Sequence, residues 1–249
     1  MKYFTSFLFF FLLITATYPA NSQSIYDEGE GSYLAFERIQ ITSSGLTNLP
    51  SSENLSLVYS NRLDDNMDIG VLFAYRYDNE NPNNSEPFAG YNITFGPHVG
   101  YTQYINSGAG IRAEFQGHVS FSDYSLAGNA DFGFAGGGIK TVFNLFQRFD
   151  IGNIALFPQI GIYSNLTGFS DQRLNGYGYN THVQNSTDLS NSEELQNWHY
   201  NTGITLGFPV SVLRDRSFSV TFEPSYRLNI ANNETHSASR FELKLRFGF

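Results

Sequence analysis

The sequence has no cysteine among its 249 residues, so no disulfide bond can staple the fold. A chain of this composition in an oxidising compartment must be held together by hydrogen bonding and packing alone. Basic side chains are also scarce, with 14 lysines and arginines against 23 aspartates and glutamates. Because nucleic-acid phosphates are bound by basic surfaces, this deficit argues against DNA or RNA as a partner.

Long apolar runs are missing as well. The one marked run, 7–14, is well short of the roughly 20 residues that a membrane-spanning helix needs. It follows Lys2 and precedes Ala20-Asn-Ser22, a small-x-small cleavage pattern. We therefore predict a signal peptide over 1–22 and a single mature domain over 23–249. If that domain lies in a membrane, it crosses as strands.

Motifs for enzymatic and metal chemistry are absent too. The chain has no G-x-S-x-G, which excludes a lipase-type nucleophile elbow. The glycine-rich stretch 133–141 misses the Walker spacing, because Ile139 separates its last glycine from Lys140. The histidines show no ligand-like spacing, and His182, His199 and His236 make only a weak metal candidate. We expect a protein that is not an enzyme and uses no cofactor or metal.

Aromatic residues and glycine are abundant, and this mixture favours strands and tight turns. The chain has 24 Phe, 16 Tyr and 23 Gly. Polar and apolar residues alternate over most of its length, as in strands with one apolar face. Ten strands are predicted, over 32–42, 55–62, 67–77, 88–104, 109–122, 128–146, 153–167, 197–213, 217–230 and 240–249.

The last ten residues alternate most cleanly. Their apolar face consists of Phe241, Leu243, Leu245, Phe247 and Phe249, and their other face of Arg240, Glu242, Lys244, Arg246 and Gly248. This segment resembles the closing strand of a bacterial outer-membrane β-barrel, in which the terminal aromatic belongs to the signal read by the barrel-insertion machinery. The alternative is the final strand of a soluble β-sandwich, which alternates in the same way.

The predicted connections alternate between long and short, which favours the barrel. The long ones are 43–54, 78–87, 123–127, 168–196 and 231–237, and the short ones lie at Leu63, Asn106, Arg148 and Arg214. Outer-membrane barrels sort their loops onto two rims in this way. The mature chain resembles the small OmpA-like and porin-like barrels. That resemblance implies an all-β, transmembrane, antiparallel up-and-down barrel of about ten strands, with eight or twelve as alternatives, in the outer membrane of a Gram-negative cell.

If the apolar faces meet lipid, the opposite faces line the barrel interior. The charged residues predicted there are Arg112, Glu114, Glu223, Arg227, Arg240, Glu242, Lys244 and Arg246, with Arg38 and Gln40 as further candidates. Unpaired charges in a narrow interior are costly, so Glu223 is expected to pair with a basic residue of the last strand. Barrels of about eight strands are filled by side chains, whereas open channels have about 16 to 18.

These observations predict a monomeric, non-enzymatic barrel with a largely plugged, charged interior. Its partners would be membrane lipid, the insertion machinery and an external ligand or protein at the 168–196 loop. The first alternative is a narrow channel for small polar solutes or ions. The second is a hydrolase at the rim, built from His182 and His199 with acidic residues of the loop, although their spacing specifies no geometry.

Overall fold

The computed structural model describes residues 26, 31–42, 45–47, 51, 54–79, 88–126, 130–169, 198–214, 218–232 and 239–249. The predicted signal peptide, 1–22, lies outside these residues. One antiparallel sheet of 14 strands accounts for nearly all of them. The strands are β1 (Ser32–Thr42), β2 (Gly45–Thr47), β3 (Asn54–Arg62), β4 (Met67–Asn79), β5 (Phe88–Tyr104), β6 (Ala109–Leu126), β7 (Ala130–Gln147), β8 (Phe149–Ile151), β9 (Ile154–Leu156), β10 (Gln159–Phe169), β11 (Trp198–Gly207), β12 (Val210–Arg214), β13 (Phe218–Asn232) and β14 (Arg240–Gly248). No helix in the described ranges has the length and hydropathy required to cross a membrane.

Ten of the strands close into a ring. Its order is β1, β3, β4, β5, β6, β7, β10, β11, β13 and β14, with β14 paired to β1. The predicted all-β, up-and-down barrel of ten strands is therefore confirmed, and the alternatives of eight strands, twelve strands and a β-sandwich are wrong. The other four strands are short: β2 pairs with β1, and β8, β9 and β12 extend the wall beyond Pro158 and Pro209. Proline interrupts the strands there because it has no backbone N–H to donate.

Closure between β1 and β14 contains a bulge. Tyr33 pairs with Gly248 and Phe36 with Leu245, but the register shifts before Ile39, which lies opposite Leu243. An extra residue of this kind moves the following side chains to the other face. The bulge explains the weak alternation of this strand. Glu37, next to the bulge, points into the barrel with 4% exposure, while the side chains of Arg38 and Gln40, the candidates predicted to face inward here, lie outside the described residues.

Burial is inverted relative to a water-soluble barrel. Outward apolar side chains are exposed, including Val71 at 53% and Ile162 at 61%. Inward polar side chains are buried, and Asp68 and Arg112 are each only 1% exposed. An apolar exterior around a polar interior is the arrangement of an outer-membrane barrel.

The connections fall on two rims. The tight-turn rim carries the four-residue turns 63–66 and 105–108 and the turn at Gly152, whose φ of 60° lies in the left-handed region that favours glycine. The long-loop rim carries 80–87 and 170–197, which lie outside the described residues. One predicted connection was misplaced: β6 continues to Leu126 and β7 begins at Ala130, because the two strands pair over their whole length.

Candidate functional site

The barrel interior carries balanced charge. Its described part contains five buried carboxylates, Glu37, Asp68, Glu114, Glu223 and Glu242, and five basic side chains that pair with them and are at most 15% exposed, Arg112, Lys140, Arg227, Lys244 and Arg246. These ten charges sum to zero, whereas the whole chain carries −9. Arg240, which also contacts Glu242, is 44% exposed at the long-loop end. Neutrality is thus a property of these buried pairs, where an unpaired charge would be most costly.

Glu114 is the centre of this network. Its Oε1 lies 2.6 Å from Arg246 Nη2 and 3.4 Å from Arg112 Nε, and its Oε2 lies 3.0 Å from Lys244 Nζ. In the ring order β6 is fifth and β14 is tenth, so five steps separate them in either direction. Glu114 therefore joins side chains from opposite walls of the barrel.

A second contact also crosses the interior. Lys140 Nζ of β7 lies 3.4 Å from Glu37 Oε2 of β1, and these strands are sixth and first in the ring. Lys244 Nζ lies 3.2 Å from Glu37 Oε1, which links this contact to Glu114. Gln116 Nε2 donates to both oxygens of Glu37 at 3.3 Å. We call Arg246–Glu114, Lys244–Glu114 and Lys140–Glu37 the crossing pairs.

Asp68 organises the network nearer the tight-turn rim. Arg112 Nη1 donates to its Oδ1 at 2.5 Å, while Tyr33 and Ser60 donate their hydroxyls to its Oδ2 at 2.8 and 3.0 Å. Gly100 faces this group, and a Cβ there would lie 2.2 Å from Arg112 Nη2 and 2.4 Å from Asp68 Oδ1. Glycine at this position therefore leaves the space that the ion pair occupies.

The remaining predicted charges lie on β13 and β14. Arg246 Nε is 2.5 Å from Glu223 Oε1, so Glu223 does contact a basic residue of the last strand. Glu242 contacts two arginines near the long-loop rim, Arg227 at 2.9 Å and Arg240 at 2.6 Å. The structure thus brings all eight predicted interior charges into ion pairs.

Several members of the network were missed by sequence reasoning. Glu37 was hidden by the bulge in β1, and Lys140 was considered only as part of a nucleotide-binding motif. His98 is 1% exposed and lies 2.8 Å from the Tyr33 hydroxyl and 3.3 Å from Asp68 Oδ2. The inward position of each residue on a long alternating strand was the available signal for Lys140 and His98.

An aromatic cluster closes the tight-turn end of the interior. Tyr26 precedes the first strand, yet it is only 1% exposed and stacks on Phe157 at a centroid distance of 4.5 Å. Phe146 packs edge-on against it at 5.3 Å, and the Tyr104 hydroxyl donates to the Tyr26 carbonyl oxygen. The predicted leader before β1 therefore contributes a buried ring.

The outward face of β14 carries the residues predicted as an insertion signal. Phe241 is 54% exposed, and Leu243, Leu245, Phe247 and Phe249 are partly exposed on the same side. The Phe249 N–H donates to the Ser32 carbonyl oxygen and the Ser32 N–H to that of Phe249, each at 3.0 Å. The end of β14 thus takes part directly in barrel closure.

The residues considered for a rim hydrolase are not brought together among the described residues. His182 and the acidic residues of the long loop lie outside them, and so does the side chain of His199. The adjacent aspartates Asp64 and Asp65, an acidic pair of the kind that such a hydrolase would need, lie in the turn on the opposite rim. Asp64 Oδ1 accepts the N–H groups of Asn66 at 2.8 Å and Met67 at 2.7 Å, and these bonds lower the pKa of its carboxyl. Asp64 therefore supports a turn.

Comparisons with known proteins give a structural likeness and no family. No protein-family model matches the chain, and no curated protein sequence matches it. Eight chains of solved structures match. One is the crystal structure of the β domain of the Bordetella autotransporter BrkA, with 11% identity and a TM-score of 0.42, covering 90% of this chain and 99% of that chain. The evidence for the barrel is therefore the strand pairing of the sheet. No family match supports the resemblance to the OmpA-like and porin-like families.

Proposed function

We propose that this protein is an integral outer-membrane barrel with a sealed interior, which has no catalytic role and displays its long loops outside the cell. Export by the 1–22 signal peptide and insertion guided by β14 belong to the same proposal. The barrel would act as a monomer. The single observation that carries the sealed interior is the set of crossing pairs, which join opposite walls directly.

The crossing pairs support a sealed rather than an open interior because their geometry leaves the charges engaged with one another. An ion that enters must separate Glu114 from Lys244 and Arg246, or Glu37 from Lys140. Breaking a buried ion pair costs several kcal/mol when one partner stays uncompensated, typically about 3–5 kcal/mol. Such a cost is a substantial barrier to permeation.

The exterior supports a membrane location. Exposed aromatic residues lie near both ends of the apolar surface, with Tyr77, Tyr91 and Tyr200 toward the long-loop rim and Tyr101 and Phe208 toward the tight-turn rim. Aromatic girdles of this kind mark the two membrane interfaces of outer-membrane barrels. Along β4, Tyr77 is ten residues beyond Met67, and a tilted strand of that length rises about 25 Å, the height of the apolar band.

Conductance tests the sealed interior. Purified protein in planar lipid bilayers is expected to show no unitary conductance. A variant that removes both crossing acids and both crossing lysines, Glu37→Ala, Glu114→Ala, Lys140→Ala and Lys244→Ala, removes two charges of each sign and leaves Arg246 paired with Glu223. This neutral change is expected to produce reproducible unitary currents, because the side chains that meet in the middle are gone.

The runner-up function, a narrow channel for small polar solutes or ions, would be established by the opposite result. Steady unitary currents through the unaltered protein, changed in size or ion selectivity by Glu223→Gln or Arg227→Gln, would overturn the sealed barrel. A matched control is Asp150→Asn, which removes an exposed ion pair with Arg148 at the tight-turn rim. Asp150→Asn should leave the currents unchanged, whether it is made in the unaltered protein or in the quadruple alanine variant.

The 168–196 loop is proposed as the segment that binds an external ligand or protein. Gly168 and Trp198 are directly paired in the β10–β11 ladder, so a short turn can replace the residues between them. Replacing 170–197 by Asn-Gly is expected to leave a folded barrel that migrates faster on a denaturing gel before boiling than after. Binding of an external partner by whole cells should be lost. A variant that fails to fold would instead assign this segment to barrel assembly.

A further inference from the structure

Two arginines face each other directly near the long-loop rim. Arg227 of β13 and Arg240 of β14 are partners in the strand register, so their side chains leave the same face of the sheet at the same level. Like charges at directly opposed positions destabilise a sheet. One carboxylate, that of Glu242, serves both: its Oε2 lies 2.9 Å from Arg227 Nε and its Oε1 lies 2.6 Å from Arg240 Nε. The three groups together carry a charge of +1.

Both guanidinium groups have N–H donors other than the one that contacts Glu242. Each approaches Glu242 through its Nε, and among the described residues neither has a second ion-pair partner. Arg227 is held in place, because its side chain is 8% exposed and its guanidinium carbon lies 5.1 Å from the centre of the Tyr163 ring. Arg240, at the first position of β14, is 44% exposed. This arginine pair thus combines one fixed guanidinium group, that of Arg227, with one that solutes can reach from the long-loop side, that of Arg240.

We infer that Arg227 and Arg240 form a binding site for a small oxyanion at the long-loop mouth of the barrel. The planar guanidinium group matches carboxylate and phosphate oxygens through paired N–H donors, and the η-nitrogens of both arginines remain for this purpose. An anion placed between the arginines would neutralise the surplus charge. In a chain of net charge −9, this is a local reversal of sign.

The site goes beyond the sealed barrel and does not depend on it, because it lies above the crossing pairs on the side of the long loops. Its test is therefore made on folded protein in neutral detergent, without a bilayer or a current. Inorganic phosphate is titrated into the protein in a calorimeter at constant ionic strength, with acetate in a second arm and chloride in a third. We expect saturable binding of phosphate or acetate, and none of chloride.

The variants locate the site. Arg240→Gln is expected to weaken binding roughly tenfold or more, the loss expected for one charge-assisted hydrogen-bond pair. If Arg227→Gln does not fold because Glu242 is left without its buried partner, the double variant Arg227→Gln with Glu242→Gln replaces it and should also lose binding. Arg148→Gln, at the opposite rim, is the matched control and should bind like the unaltered protein.

Each outcome decides. Stronger binding of phosphate than acetate assigns the site to phosphate-bearing ligands, and the reverse order assigns it to carboxylates. Equal heats with chloride would mean general ionic screening, and equal affinity in Arg240→Gln would place the anion elsewhere. Either of these two results overturns the inference. Conductance measured in bilayers is a separate readout, so a leaky barrel that still binds phosphate would refute only the sealed interior.

Discussion

Replacing Glu114 by alanine is expected to lower the free energy of unfolding by about 3–5 kcal/mol, the usual cost of removing one partner from a buried ion pair. The loss is large because Glu114 serves three cations: Arg112, Lys244 and Arg246 all lie within 3.4 Å of it. In that variant Arg112 would still contact Asp68 and Arg246 would still contact Glu223, whereas the remaining ion pair of Lys244 among the described residues would be its 3.2 Å contact with Glu37. The measurement is urea unfolding in lipid vesicles, followed by the fraction of the fast-migrating folded band on a denaturing gel.

Two controls separate the missing charge from the missing side chain. Glu114→Gln with Lys244→Met removes one charge of each sign and keeps the interior filled, so it should recover most of the lost stability. Asp150→Asn removes an exposed carboxylate, 56% accessible, from a salt bridge with Arg148. Exposed pairs contribute about 0–1 kcal/mol, so this change should be nearly silent. Equal effects of Glu114→Ala and Asp150→Asn would contradict the central role of Glu114.

The strands could be predicted from the sequence because one property, alternation with period two, repeats along each of them. In β6 it separates Phe115 and Phe121 from Arg112 and Glu114, and in the structure the first two are exposed and the other two are buried. Loop lengths then indicated which face meets lipid. The strands therefore followed from local patterns, whereas their closure into a barrel was implied by the resemblance to outer-membrane barrels.

The partners of the interior charges could not be predicted in the same way. Glu114 and Arg246 are 132 positions apart in sequence, and they meet because ring closure sets β6 and β14 on opposite walls. Alternation gives the face of a residue but not its partner across a lumen. In β1 even the face could not be predicted, because one extra residue in the bulge exchanges the inward and outward positions. The inward position of Glu37 was missed for this reason.

Some interior positions also lack the polar signature on which sequence reasoning depended. Val58 and Leu72 lie on the inner face and are 1% and 2% exposed, where they pack with Tyr26 and Phe146 into one apolar cluster. Apolar side chains at inward positions interrupt the alternation of polar and apolar residues. Nothing in the sequence indicates that Tyr26 belongs to the same apolar cluster. The interior thus closes partly by ordinary apolar packing and partly by ion pairs.

The apolar exterior provides the sharpest test of membrane residence, through Ile162→Arg. Ile162 lies on the outward face of β10, is 61% exposed, and has Ile160 and Leu166 on the same face at 53% and 40%. An arginine on the lipid-facing surface at the bilayer midplane costs about 2–4 kcal/mol. We therefore expect Ile162→Arg to unfold at lower urea concentration than the unaltered protein when both are folded into lipid vesicles.

In a water-soluble barrel the same substitution would place a charge on an exposed surface, where effects stay within about 0.5 kcal/mol. The matched control is Leu63→Arg, because Leu63 is similarly exposed, at 59%, but belongs to the turn beyond the apolar belt. Near the interface the cost of arginine falls to about 0–1 kcal/mol. A large loss of stability for Ile162→Arg and a small one for Leu63→Arg would therefore show that Ile162 lies within the lipid-facing apolar surface and that Leu63 lies beyond it. Equal losses of stability would contradict lipid contact as the reason for the exposed apolar face. The two positions are similarly exposed, and only a bilayer would make the cost of arginine depend on its position along the barrel axis.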